Sequence, residues 1–390
     1  MCVTAHYIDA NWILQSRIIS FSDLDPPHTG AIISETIFEI LLEWGIQNKV
    51  STITLDNTSS NDKAAENLRY LFSRRSDFQF MEKFFHVRCA AHILNLMVQD
   101  GLKVITSVIS KIRNFVLYLK RSPSRLFKFG EIARQLGIYT FRGLRIDVPI
   151  RWNSTFKMLD VAFHYKSVFP EYACRDLHYV WLPLDQEWDM YERIRDILSV
   201  FDEVTEIFSG TKFSTANKFL SNLVKVKRAL DKGILLEISC VRDMTIAMKL
   251  KFDKYWSDCH TLLTIVSILD PCVKMFALTN FYREIYGPVE VNERIEDVKS
   301  SLSELYSFYA VDKNVTTHEG SIAPSTTSSL LQSKEPRGDP LNDLYLHIKA
   351  STSMEAPKSD LEVYLSEQCI ECEDSKFNIL EWWKLSSMKY

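Results

Sequence analysis

The sequence predicts an α/β protein in which a short mixed segment leads into a long helical one. Three observations carry this. The first hundred residues alternate β-rich and helix-period runs in the order β-β-α-β-α-β-α, with short connections. Long helical patterns then dominate to about residue 310. The charge character also changes after residue 103: from Lys103 to Arg145, ten Lys/Arg stand against one acid, Glu131.

The elements follow in order. Residues 2–8 alternate in β fashion, Asp9-Ala10-Asn11 supplies a turn, and a second β-rich run extends from Trp12 to Phe21, so the N-terminus predicts a hairpin. Pro26 and Pro27 punctuate. Ile33, Ile37, Ile40, Leu41 and Trp44 then share one face of a 3.6-residue period, which predicts a helix weakened at Gly45. Ser51–Leu55 is a β-branched run ending at Asp56, followed by a polar loop, Asn57–Asp62, and another helix. Phe84–Val87 predicts a strand, and Ala90 to Gly101 a helix. Further on, Ile194, Ile197, Leu198, Phe201, Val204 and Phe208 keep helical spacing. Residues 311–340 are rich in Ser, Thr and Pro without periodicity and read as a disordered linker. The last fifty residues resume an amphipathic pattern and end in EWWKLSSMKY.

Composition excludes several classes. Hydrophobic residues make up 46% and charged residues 25% of 390 residues, which is ordinary globular composition. Glycine (11) and proline (12) are too scarce for collagen-like or low-complexity chains. The net charge of −4 excludes a polybasic chain, so DNA contact would need a local patch. Eight scattered cysteines suggest reduced thiols rather than a disulfide framework. Neither a signal-peptide pattern nor a transmembrane-length apolar run is seen, so a soluble intracellular protein is expected.

Few residues carry chemistry by local pattern. Asp56 closes a strand, where a carboxylate can face a cleft and ligate Mg²⁺ or Mn²⁺; it can equally cap the next helix. Cys89 and His92 stand one helical turn apart, but a zinc site needs a second ligand pair and none is suitably spaced, so a packed helix start is the other reading. Arg151 and Trp152 follow the basic stretch. An exposed Trp there could stack on a base while Lys120, Arg121, Arg125 and Lys128 track phosphates; the alternative is a core Trp beside solvated helix faces. No P-loop, dinucleotide, nucleophile-elbow or zincin motif is present.

Seven motifs together carry a resemblance. TLDNTSSND (54–62), HVRCAAHILNLMVQDGL (86–102), RWNSTFKMLD (151–160), KFDKYW (251–256), ILDPCVKM (268–275), SDLEVYL (359–365) and ILEWWKLSSMKY (379–390) occur in the order found in hAT-superfamily DNA transposases. They most resemble the plant zinc-finger BED branch of the RICESLEEPER and DAYSLEEPER type. The resemblance implies an RNase H-like core (1–104) interrupted by a large all-α insertion (105–310). A partial C-terminal hAT dimerisation segment (341–390) would complete the core.

The family cuts DNA with two aspartates and a glutamate that bind divalent metal. The second aspartate is matched by Asp56. The glutamate falls in the motif that holds Asp360 and Glu362, with Glu362 favoured by residue type; Asp56 and Glu362 would form a vestigial Mg²⁺ site. Cys89 and His92 match a family CxxH motif, Trp152 a DNA-stacking tryptophan, and Trp382 and Trp383 lie in the segment that dimerises. Cys272 departs from a usual basic residue. The first catalytic aspartate and the BED finger are expected to lie outside this chain, which stops within the dimerisation segment.

The expected function is a domesticated or decayed DNA-binding protein that self-associates in the nucleus and is not catalytic alone. No cofactor is expected, apart from Mg²⁺ or Mn²⁺ if cleavage remains. DNA and a second copy are the expected partners, without a membrane or small-molecule substrate. The rival is a protein-interaction scaffold, or a transposon remnant, that does not bind DNA.

Overall fold

The computed structural model describes residues 1–75, 77–139, 142–148, 151–211, 213–256, 260–316, 359–371 and 377–390. The first strands, β1 (Cys2–Ile8) and β2 (Leu14–Phe21), pair antiparallel, from Cys2 opposite Phe21 to Ile8 opposite Leu14, with a register shift between Val3 and Thr4. Asp9 builds the turn. Its Oδ1 accepts from the N–H groups of Asn11 (2.9 Å) and Ile13 (3.0 Å), and Oδ2 accepts from Gln15 Nε2 (2.8 Å). Those bonds hold the Asp9 carboxyl below its usual range.

Helix α1 (Gly30–Glu43) is N-capped by Thr29, whose hydroxyl accepts from Ile32 N–H. It packs on α2 (Ser59–Phe72). Gly30 permits the close approach: a Cβ there would lie 2.7 Å from the Ser60 carbonyl oxygen. Strand β3 (Ile53–Leu55) pairs parallel with β4 (His86–Arg88), Ile53 opposite His86 and Leu55 opposite Arg88. Two features differ from expectation. The polar cluster 57–62 is mostly helix, because Thr58 occupies the N-cap position and α2 starts at Ser59. Phe78–Phe85 forms a further helix, α3, ahead of β4.

This N-terminal part has its own small core. The rings of Phe72, Phe78 and Phe85 meet with centroids 5.2–5.5 Å apart, and Ile37, Leu41 and Leu68 surround them. Each such ring contributes about 1.5–3 kcal/mol on burial.

The helical body follows: α4 (Ala90–Val104), α5 (Thr106–Lys120), α6 (Pro123–Gln135), α7 (Trp152–His164), α8 (Val168–Arg175), α9 (Asp185–Phe208), α10 (Phe219–Ile234), α11 (Ser239–Trp256), α12 (Thr261–Ile268) and α13 (Lys274–Thr316). One continuous core runs from Met81 and Phe84 of α3 through these helices to Leu361. Helix α4 lies on α11, where Gly101 leaves room: a Cβ would sit 2.6 Å from Met248 Cγ. Helix α13 breaks at Gly287 (φ 80°) followed by Pro288, a pair that suits a kink because glycine adopts positive φ without strain and proline lacks the N–H.

Helix α13 continues to Thr316, past the expected start of the linker at 311; the rest of that linker, and residues 341–358, lie outside the described residues. Two short C-terminal helices, Asp360–Ser366 and Ile379–Ser386, complete the chain. Cys2, Cys89, Cys174, Cys240 and Cys369 are free thiols, but Cys272 is disulfide-bonded, which corrects the expectation of a wholly reduced complement.

Candidate nucleic-acid interface

The basic stretch is less bare in space than in sequence. Lys103 pairs with Asp100 (2.7 Å), Lys111 with Glu187 (2.7 Å), Arg113 with Asp147 (2.6 Å) and Arg142 with Asp160 (3.2 Å). Folding therefore supplies from α4, α7, α9 and the loop before α7 the acids that the local sequence lacks. Lys120, Arg121, Arg125 and Lys128 have no carboxylate within ion-pair distance among the described residues, although Lys128 lies near enough to Asp176 to lower its carboxyl; all four belong to the α5–α6 corner.

Their positions have local causes. Ser122 caps α6 by accepting from Arg125 N–H, and Pro123 at the first turn needs no partner for a missing donor. Lys120 and Arg121 are exposed at the end of α5. The Arg125 guanidinium lies 3.8 Å from the Tyr118 ring centroid and donates to the Tyr118 carbonyl at 3.3 Å. Lys128 donates to the Arg175 carbonyl. Beneath them Asp176 accepts from the hydroxyls of Tyr118 (2.9 Å) and Tyr172 (3.1 Å). Burial raises the Asp176 carboxyl, but those bonds and the His178 N–H outweigh it and leave it lowered.

Trp152 does not stand on this surface. It is 2% exposed and belongs to the main core, so its ring is not presented to a base. The RWNST run acts instead as a clasp. Asn153 donates to Asp202 (3.0 Å), Ser154 Oγ accepts from Val148 N–H (2.6 Å), and Thr155 donates to the buried Asp147 (3.0 Å). Arg151 is exposed beside it.

The acidic candidates lie as follows. Asp56 is exposed at the end of β3; its Oδ1 accepts from Thr58 N–H (3.2 Å) and Asn61 Nδ2 (2.7 Å). Glu362 is half of a capping box: its Oε2 accepts from Ser359 N–H (2.8 Å) while Ser359 Oγ accepts from Glu362 N–H (3.3 Å). Asp360 is exposed in the first turn of the same helix. Among the described residues no group of three or more His, Cys, Asp or Glu side chains is placed to hold a metal ion. Among the described residues no third carboxylate or imidazole joins Asp56 or Glu362, and Cys89 with His92 gathers no further ligands. Cys89 is the N-cap residue of α4, half-buried like His92.

The C-terminal segment shows contacts that local reading missed. The turn after α12 offers a row of carbonyls. Ile268 O accepts from Tyr364 OH (3.0 Å), Leu269 O from Trp383 Nε1 (3.0 Å) and Pro271 O from Ile370 N–H (3.0 Å). The turn itself is held by buried Asp270, which accepts from Asn217 Nδ2 (2.7 Å) and Cys272 N–H (3.0 Å). Trp382 and Trp383 are half-buried and cluster with Tyr364 and Tyr390 inside this chain. The ILDPCVKM motif is thus a dock for the C-terminus, a role that no local sequence signal carries.

Comparison with known proteins agrees with this arrangement. The family described as the ZBED1 RNase-like domain matches residues 1–84, the ZBED1 RNase-like helical domain matches 87–197, and the hAT-like transposase, RNase-H fold, matches 217–309. A small RNase H-like β element flanked by a large all-helical insertion defines an hAT-superfamily-like, transposase-derived protein. Within that class the chain is related to the plant zinc-finger BED proteins of the RICESLEEPER and DAYSLEEPER type. It is 32% identical to the putative AC transposase of Zea mays, over 98% of this chain and 47% of that protein. It is 32% identical to RICESLEEPER 2 of Oryza sativa subsp. japonica, over 100% of this chain and 54% of the relative. DAYSLEEPER of Arabidopsis thaliana is 27% identical over 100% of this chain and 53% of its own length. The chain thus spans about half the length of these relatives. Among the described residues no single helix is long and apolar enough to cross a membrane.

Proposed function

We propose that this chain binds DNA through the α5–α6 corner and acts in the nucleus as a DNA-binding, self-associating product of a transposase lineage. The observation that supports the reading is the cluster Lys120, Arg121, Arg125 and Lys128 at this corner, with no carboxylate within ion-pair distance among the described residues; Lys103, Lys111, Arg113 and Arg142 of the same stretch are paired, whereas Arg134 and Arg145 are not. Unpaired cations release counterions on meeting phosphates, whereas cations already in ion pairs must first give up a partner. Self-association runs through the C-terminal segment, where Leu385 (78% exposed) and Met388 (100%) lie beside Trp382 and Trp383.

Strand cutting is not part of the proposal for this chain alone. A two-metal mechanism needs carboxylates that clamp both ions, and Asp56, Asp360 and Glu362 are each committed locally or stand apart from such a group. Fluorescence anisotropy of labelled duplex DNA at two salt concentrations tests the binding; affinity that falls steeply with salt is expected, and no binding at low salt favours the scaffold reading. Incubation with Mg²⁺ or Mn²⁺ is expected to leave the DNA intact. Cleavage that Asp56→Ala abolishes would overturn this part.

A further inference from the structure

A cleft of about 580 Å³ lies where the N-terminal α/β part meets the helical body, between α2, β4, α11 and α12. That is ample for a small organic ligand, since such sites span about 300–1,000 Å³. Two histidines face it. His260 Nε2 lies 3.0 Å from the His86 carbonyl oxygen, and a carbonyl can only accept, so this nitrogen carries the proton. Burial lowers the proton affinity of His260, which keeps the ring neutral and leaves Nδ1 as a bare acceptor. That Nδ1 is buried without a partner, and so is His86 Nε2.

The remaining walls narrow the ligand. Lys83 is paired with Glu304 (2.6 Å) and Arg88 with Asp62 (3.0 Å), so neither is a spare cation. Arg69 lines the cleft without a hydrogen bond or a close ion pair among the described residues, although Glu66, on the same wall and paired with Lys63, lies near enough to feel its charge. Tyr255 is a half-buried aromatic wall. A buried polar atom without a partner is costly, and a ligand that satisfies it gains that amount on binding.

We infer that this cleft receives a single nucleotide, with an N–H edge of the base donating to His260 Nδ1, the base plane against Tyr255, and the phosphate at Arg69. A neutral acceptor beside an aromatic face suits a nucleobase. One guanidinium without a direct ion pair suits one phosphate rather than a continuous backbone. The base could belong to an unpaired position in a DNA strand or to a free nucleotide. The site does not depend on the α5–α6 corner, so the two proposals can fail separately.

Calorimetric titration of the full chain tests it with three probes: dAMP, its N6,N6-dimethyl analogue, and deoxyribose 5-phosphate. The dimethyl analogue has lost the only amino donor of adenine. dAMP is expected to bind, the dimethyl analogue about tenfold less tightly, which is the effect of one hydrogen bond, and the sugar phosphate without measurable heat. His260→Phe keeps a ring of similar shape and removes the Nδ1 acceptor; it is expected to remove the difference between dAMP and its analogue, measured where the variant's own melting curve shows it fully folded. Arg69→Gln, on a half-buried position of α2, is expected to weaken both nucleotides equally. No heat with dAMP, or equal binding of dAMP and the analogue to wild type, overturns the inference. A DNA hairpin with one unpaired adenine that displaces dAMP identifies a strand as the source; dAMP binding without such competition identifies the free nucleotide.

Discussion

Lys274 holds the end of the chain through Tyr364. Its ammonium donates to the Tyr364 carbonyl at 2.9 Å and lies 4.4 Å from the centre of the Tyr364 ring, while Glu367 stands 3.7 Å away. The residue is 2% exposed and adopts a positive φ of 47°, a conformation costly for lysine that the turn after Asp270 imposes. Burial pulls its proton affinity down, and Glu367 opposes that fall. A buried cation kept in this way serves as a fastener: ninety residues of sequence separate its two ends.

Lys274→Met therefore tests the docking of the C-terminus. The change conserves volume and removes a charged donor from two carbonyls, at a cost of about 1.5–3 kcal/mol. Urea unfolding is expected to shift by that amount, and limited proteolysis to cut faster near residue 359. Unchanged proteolysis would show that the aromatic cluster alone keeps the segment in place.

The Arg113–Asp147 pair sets an acid limit on stability. Asp147 has a side chain 1% exposed, and burial by itself would raise its pKa. The hydrogen bond and charge of Arg113 and the Thr155 hydroxyl outweigh this and hold it below the ordinary value. A carboxylate with a lowered folded pKa contributes stability above its unfolded value, near 3.9, and loses it as pH falls through the folded value. Arg113→Met strands the carboxylate, at a cost of about 3–5 kcal/mol near neutral pH. The deficit is expected to shrink as the medium is acidified and Asp147 is protonated. Thermal melts of both proteins from neutral to acid pH check the sign.

Trp152 separates a packing role from a DNA contact. Removing a core aromatic costs about 3–5 kcal/mol. Trp152→Ala is therefore expected to lower the unfolding midpoint strongly while the DNA affinity of the folded fraction stays unchanged. Weaker binding with unaltered stability would instead restore the ring to the interface.

Much of the fold was legible because its signals are local. The Asp9 turn, the Ile33–Leu41 stripe and the Ser51–Leu55 run each appear where their period and turn residues put them. The segment FQFMEKFF was not legible as a helix, since a short apolar run suits strand and helix alike. The capping role of Glu362 is written locally, as S-x-x-E from Ser359 to Glu362. The partners of the basic stretch were out of reach. Asp147 and Asp160 come from beyond or near its end and Glu187 from α9, and only folding brings them to Arg113, Arg142 and Lys111. The histidine cleft is the extreme case, with His86 and His260 meeting across 174 positions.

DNA binding at the α5–α6 corner rests on its four cations. The decisive measurement is the slope of log affinity against log salt for duplex DNA, taken on wild type, on Lys120→Gln/Arg121→Gln/Arg125→Gln/Lys128→Gln, and on Lys103→Gln/Arg142→Gln, whose charges are already paired. Each phosphate contact contributes about 0.9 to that slope. The fourfold variant is expected to lose about 3.6 units of slope when compared at a temperature where it is fully folded, and the paired-charge control to keep the wild-type slope. An unchanged slope in the fourfold variant, or an equal loss in the control, would contradict DNA binding at this corner.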